Sequence, residues 1–154
     1  MSTGKAMPLG ATVHEDGVNF AIFSRHATAV TLILFESAAD NSPCQEIPIH
    51  NKTGDIWHCF IKGLKAGACY QYRVDGPNQS ERGLRFNPKN TLIDPYAKAL
   101  TKLDKWDIKN GTNIPRCIVI DDNDFDWQGD TPLNYPLRFS VLYETHIKRC
   151  APLC

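Results

Sequence analysis

"GVNFAIFSRHATAVTLILF" occupies residues 17–35, and its period decides the fold. Val18, Phe20 and Ile22 alternate with Asn19, Ala21 and Phe23, and Val30, Leu32 and Leu34 alternate with Thr31, Ile33 and Phe35. A repeat of two sends successive side chains to opposite faces of an extended chain, whereas a helix collects apolar residues at spacings of three and four. Apolar residues fall in both alternating sets, so these strands read as covered on both faces. The pattern continues outward. "DIWHCFIKG" from Asp55 puts Trp57, Cys59 and Ile61 on one side and His58, Phe60 and Lys62 on the other. Tyr70, Tyr72 and Val74 then alternate with Gln71, Arg73 and Asp75. Turn chemistry separates the runs: "EDG" at 15–17, "NSP" at 41–43, "KTGD" at 52–55 and "KAG" at 65–67. Short strands at regular spacing with breakers between them predict an all-β protein, an antiparallel β-sandwich over residues 8–76.

Beyond Gly76 the texture changes. "GPNQSERGLRFNPKNTLIDPYAKAL" is rich in Pro, Asn and Gly. Within it residues 94–100 read as helical, with Asp94 as N-cap and Pro95 at the first position. A long loop of this composition in a compact protein packs against something, so residues 77–138 are expected to lie irregularly along the sandwich. "RCIVIDD" and "RFSVLYETHIKR" supply two more apolar strands, the second beginning at Phe139. Between them runs the acidic, aromatic "DDNDFDWQGDTPLNYP", expected to be a solvated connector with Phe125 and Trp127 tucked inward.

Composition narrows the function. Lys plus Arg and Asp plus Glu number 17 each, so the chain lacks the basic surplus that draws a protein to phosphate backbones, and nucleic acid is not an expected partner. No export-type apolar region opens the chain, and no stretch approaches the roughly 20 apolar residues that cross a bilayer. No membrane association is expected, and a cytoplasmic location is. Six cysteines without C-x-x-C spacing then read as free thiols, and the sequons at Asn51, Asn78 and Asn110 as unused.

Catalytic and metal motifs fail when tested against their chemistry. Asp122, Asp124 and Asp126 have the opening spacing of a calcium loop, but Trp127 stands where Gly is needed and Leu133 where a bidentate Glu is needed. The five histidines make no zinc pair, and no nucleophile elbow or phosphate loop is present. No metal, cofactor or catalytic residue is expected. Sugar binding asks for less: a pyranose has apolar faces that stack on an aromatic ring and hydroxyls that bond to neighbouring polar groups. Trp57, Tyr70 and Tyr72 are the aromatic candidates, although aromatics at strand period more often fill a core. Gln71 and Arg73, on the opposite face of their strand, are expected to meet solvent. Trp57, Gln71, Arg73 and Asn78 are thus the candidate glucan contacts.

Three stretches together carry a family resemblance: "PLGATVHEDGVNFAIFSRHATAVTLILF", "TGDIWHCFIKGLKAGACYQYRVDGP" and "GLRFNPKNTLIDPYAKAL". They resemble the N-terminal region of isoamylase-type glycogen debranching enzymes of glycoside hydrolase family 13, from about Pro8 to Arg149. The resemblance implies an immunoglobulin-like sandwich of the E-set type, a carbohydrate-binding module of family 48, placed ahead of a TIM barrel that hydrolyses α-1,6 branches. "SVLYETHIKR" is similar to the first strand of that barrel, so residues 139–149 are expected to be a barrel strand whose partners are missing. Residues 150–154, "CAPLC", depart from the pattern and suggest a frameshift, an early stop or a gene fragment. The family's catalytic carboxylates lie on later strands, so the chain is expected to be inactive alone. Relatives that hold glucan tightly carry a Trp just after "VDG"; Pro77 and Asn78 stand there instead, which implies weak α-glucan binding. Self-association, or pairing with a separate barrel domain, is the further expected contact, and a free-standing interaction or regulatory module is the alternative reading.

Overall fold

The computed structural model describes residues 1–37, 42–101 and 114–144. Among them twelve strands form: β1 Gly10–His14, β2 Gly17–Phe23, β3 Ala29–Phe35, β4 Gln45–Ile49, β5 Asn51–Thr53, β6 Ile56–Lys62, β7 Cys69–Asp75, β8 Asn78–Gln79, β9 Leu84–Arg85, β10 Thr91–Leu92, β11 Ala99–Leu100 and β12 Cys117–Ile118. All pairings are antiparallel. One sheet has the order β1-β2-β6-β5; the other runs β11-β12-β7-β3-β4, with β10 also on β7. The chain divides into two units, Met1–Asp122 and Asn123–Cys154.

The alternation predicted from sequence builds the core of the first unit. Val18, Phe20 and Ile22 from β2 and Cys59 and Ile61 from β6 meet Val30, Leu32 and Leu34 from β3 and Tyr70, Tyr72 and Val74 from β7. Phe20 and Leu32 are fully buried, and each such side chain contributes about 1.5–3 kcal/mol relative to exposure. Phe20 and Tyr72 both pack edge-on against Tyr70. The opposite set on β3 and β7 is covered too: Ile33, Phe35 and Cys69 form a second apolar cluster with Ile118 on the outer face.

Buried polar groups on the first sheet hold down the N-terminal segment. Ser2 and Phe60 exchange backbone hydrogen bonds of 2.9 and 3.0 Å beyond the short β5. His58 Nδ1 donates to the Thr3 carbonyl at 2.8 Å, which leaves Nε2 to face the Thr53 hydroxyl, also at 2.8 Å. Asn19 accepts from Lys5 N–H and returns a bond from Nδ2 to the Lys5 carbonyl. Gly4 makes this approach possible: with φ +69°, an added Cβ would sit 2.6 Å from the Cys59 carbonyl carbon.

Three expectations fail. Residues 94–100 are not helical. Asp94 does cap a turn, accepting from Tyr96 N–H at 2.8 Å, but after one turn Ala99–Leu100 joins the sheet edge at Cys117–Ile118. Sheet pairing outcompetes the local helical preference here, so the second sheet recruits strands well past Gly76. Phe125 and Trp127 are 65% and 64% exposed and pack edge-to-face on each other, centroids 4.8 Å apart, rather than turning inward. The strand expected from Phe139 does not form over its described part. Leu137–Phe139 is a 3-10 turn and residues 140–144 pair with nothing among the described residues, because extended backbone becomes a strand only when a neighbour takes its hydrogen bonds. Residues 145–154, with the rest of that expected strand and the tail, lie outside the described residues.

Candidate functional site

The predicted glucan contacts scatter rather than converge. Trp57 sits at the margin of the core, its Nε1–H donating to the Ser24 carbonyl at 3.0 Å and one ring face taken by the Lys52 ammonium at 4.9 Å. Gln71 is on the outer face of β7, as alternation requires, but it does not meet solvent: it is 4% exposed and its Nε2 donates to the carbonyls of Ile114 and Pro115. Arg73 is half-buried and grips Glu46 with two bonds of 2.6 and 2.8 Å. That pairing holds the Glu46 carboxyl below its usual range and raises the Arg73 guanidinium. Beside them Arg116 lies 3.8 Å above the Phe35 ring. The outer face that was expected to receive sugar is therefore covered by the chain's own segment and by its own ion pair. Asn78 alone keeps an exposed position, in β8 directly opposite Arg85 of β9. Tyr70 and Tyr72 are core residues, as their period suggested.

A different concavity exists where the loop after β7 folds back. It is a groove of about 290 Å³ lined by Val74, Arg85, Phe86, Asn87, Asn90 and Leu92, close to the lower end of the roughly 300–1,000 Å³ common for ligand sites. Gly76 shapes it: an added Cβ would lie 2.8–2.9 Å from three atoms of the Phe86 ring, so only glycine lets that ring lie flat on the backbone. Leu92 points to the same side of its sheet as the core residue Tyr72, its partner in register, yet remains 47% exposed. The Asn87 carbonyl accepts from Asn90 N–H and the Asn87 side chain from Lys89 N–H, which fixes the turn that presents both amides.

Buried chemistry anchors this segment. Asp94, 2% exposed, accepts from the Tyr70 hydroxyl at 2.9 Å, and its N–H points at Cys117 Sγ at 3.2 Å. Burial raises the Asp94 carboxyl above its ordinary value, against the two donors that favour its charge. Burial also pushes the Cys117 thiol up to about 11 and the Cys59 thiol up to about 12, so neither is a nucleophile at neutral pH. Tyr72 Oη is buried without a hydrogen-bond partner among the described residues. No group of acidic, His and Cys side chains able to hold a metal ion occurs among the described residues. Among those residues, too, no helix is long and apolar enough to cross a membrane.

Nothing in the sequence beyond loop composition marks this groove. Most of its lining comes from the stretch "GLRFNPKN", with Val74 from β7 and Leu92 from β10; that stretch carries part of the family resemblance but no periodicity that marks a binding surface.

Comparison with known proteins places the chain. The family model described as "Carbohydrate-binding module 48 (Isoamylase N-terminal domain)" matches residues 8–97. The chain is 39% identical over 160 residues to the glycogen debranching enzyme of Yersinia enterocolitica serotype O:8 / biotype 1B, covering 96% of this chain and 24% of that one. It is 38% identical, with the same coverage, to the glycogen debranching enzyme of Serratia proteamaculans. The chain thus spans about a quarter of the length of the curated relatives it matches. Among solved structures it resembles a pullulanase from Bacillus acidopullulyticus, with TM-score 0.60 and 24% identity over 82% of this chain and 14% of that chain. A Klebsiella pneumoniae pullulanase gives TM-score 0.60 at 22% identity, over 77% and 10%. At these identities the pullulanases share the fold.

Proposed function

Because the chain belongs to the carbohydrate-binding module 48 (isoamylase N-terminal domain) family, we propose that it acts as the α-glucan-associated module of a glycogen debranching enzyme, holding polysaccharide without cleaving it. The family match over residues 8–97 is the observation that carries this reading. The engagement of several carboxylates supports the non-catalytic part. A retaining glycosidase works with two carboxyls about 5–5.5 Å apart across the scissile bond. Here Asp94 is committed to Tyr70 and Tyr96, while Asp55, Glu46 and Asp122 are tied to Arg25, Arg73 and Lys98. Binding is weak, with a dissociation constant at or above about 1 mM, near −4 kcal/mol, because no Trp follows the "VDG" turn. Of the four residues named from sequence, Asn78 alone is exposed, in register with Arg85.

Cosedimentation with glycogen, combined with a reducing-sugar assay on glycogen limit dextrin, tests the proposal. Partial, saturable retention with no released oligosaccharide is the expected result. Release of branch oligosaccharides, or no retention at any glycogen concentration, contradicts it.

A second reading has its own observation. In the unit Asn123–Cys154, Leu133, Leu137, Val141 and Leu142 are 78–93% exposed, a density of apolar surface that monomeric proteins avoid. That stretch serves as an association surface, for another copy or for a barrel domain. Size-exclusion chromatography across a concentration series checks this; a monomer at all concentrations contradicts self-association.

A further inference from the structure

We infer that the α-glucan contact lies in the groove formed by the fold-back after β7, not on the outer sheet face where sequence alternation directs attention. This inference rests on the proposed glucan association and gives it a site. The outer face is closed to a sugar in the terms a sugar would use. Gln71 already has its amide donors on two carbonyls, Arg73 is doubly bonded to Glu46, and the face of Phe35 is taken by the Arg116 guanidinium. In the groove the opposite holds. Phe86 and Leu92 supply apolar surface for the C–H face of a pyranose, and Phe86 is braced from below by Gly76. The side chains of Arg85 and Asn90 make no hydrogen bond or ion pair to any described residue, so a ligand need not break a protein contact to use them.

Their chemistry suits a neutral polyol. A guanidinium fork donates to adjacent hydroxyls, while an amide both donates and accepts, matching hydroxyls that do the same. The groove holds no carboxylate that would call for a cationic ligand, and a single Arg without a second cation makes a poor site for a phosphate. A short run of an α-1,4-linked glucose chain is the ligand this lining takes, with its rings against Phe86 and Leu92 and its hydroxyls on Arg85, Asn87 and Asn90. Asp94 holds the segment in place from the core side through Tyr70, so the groove is supported by buried hydrogen bonds rather than by the loop alone.

The test is an amide-detected NMR titration of the whole chain with maltoheptaose, repeated for Arg85→Ala, Asn90→Ala, Arg73→Ala and Trp57→Ala, each checked for a native spectrum. Saturable shifts at residues 85–92 are expected, with affinity falling about threefold to tenfold in Arg85→Ala and Asn90→Ala, the loss of one hydrogen bond each, and unchanged in Arg73→Ala and Trp57→Ala. Shifts centred on Trp57 or Arg73, or Arg85→Ala and Asn90→Ala variants that bind as the wild type does, overturn the groove while leaving glucan association standing. A wild-type chain with no saturable shift overturns both.

Discussion

Tyr70, Tyr72 and Val74 in β7 alternate with the same period as Phe139, Val141 and Tyr143, yet the first three are at most 5% exposed and the second three at least 73% exposed. The period is equal; the surroundings are not. On β7 both backbone edges are taken, by β3 on one side and by β10 and β12 on the other. The stretch after Pro136 finds no such neighbour among the described residues and settles into a 3-10 turn followed by unpaired extended chain. Alternation therefore encodes a demand for partners, and becomes a strand only where they exist. The same apolar residues that stabilise the sandwich are a liability where they stay exposed.

Truncating one apolar side chain in each region sharpens that contrast most. Leu32→Ala leaves a cavity between the two sheets and should cost about 2–5 kcal/mol, whereas Leu142→Ala, at 87% exposure, should stay within about 0.5 kcal/mol of wild type. Denaturant unfolding of the two variants measures this, and equal losses would break the comparison.

A finer contrast lies between neighbouring tyrosines of β7. Tyr70→Phe removes the donor to the buried Asp94 carboxylate and should cost about 1–3 kcal/mol. Tyr72→Phe deletes a buried hydroxyl that has no partner among the described residues, and should be neutral or stabilising in the same unfolding experiment. A Tyr72→Phe loss as large as that of Tyr70→Phe would show that the two hydroxyls are equally engaged.

The smallest effect is in pH. The folded Asp94 carboxyl titrates above its ordinary value of 3.8, so its protonated form is favoured by folding. Its contribution is fully present below pH 3.8 and is lost as pH rises through the raised folded value. The stability of wild type minus that of Asp94→Asn should therefore fall with rising pH across that window. A difference that is flat, or that rises with pH, would contradict the assigned burial cost.

How far the sequence could be read follows from the same logic. The core strands β2, β3, β6 and β7 were legible because each carries its instruction locally, in six or seven alternating residues. Asp94 reads as a cap in the sequence, but its fate depends on Tyr70 and on the edge of β12, neither adjacent in sequence, so a turn forms in place of a helix. Alternation puts Gln71 on the outer face, where the structure also has it, yet pointing outward does not mean reaching water, because the carbonyls of Ile114 and Pro115 return over it. The groove was the least legible feature. It arises from a glycine, Gly76, that permits Phe86 to stack, and from a fold-back that no periodicity announces.

Shortening the chain to Met1–Asp122, then measuring its thermal unfolding and its retention on glycogen beside the full chain, tests the central claim most directly: the sandwich with its fold-back groove is the stable, glucan-associated part. The account predicts a cooperative transition at an unchanged midpoint, undiminished retention and a smaller tendency to self-associate. Loss of the transition, or loss of glycogen retention with the sandwich still folded, would contradict it.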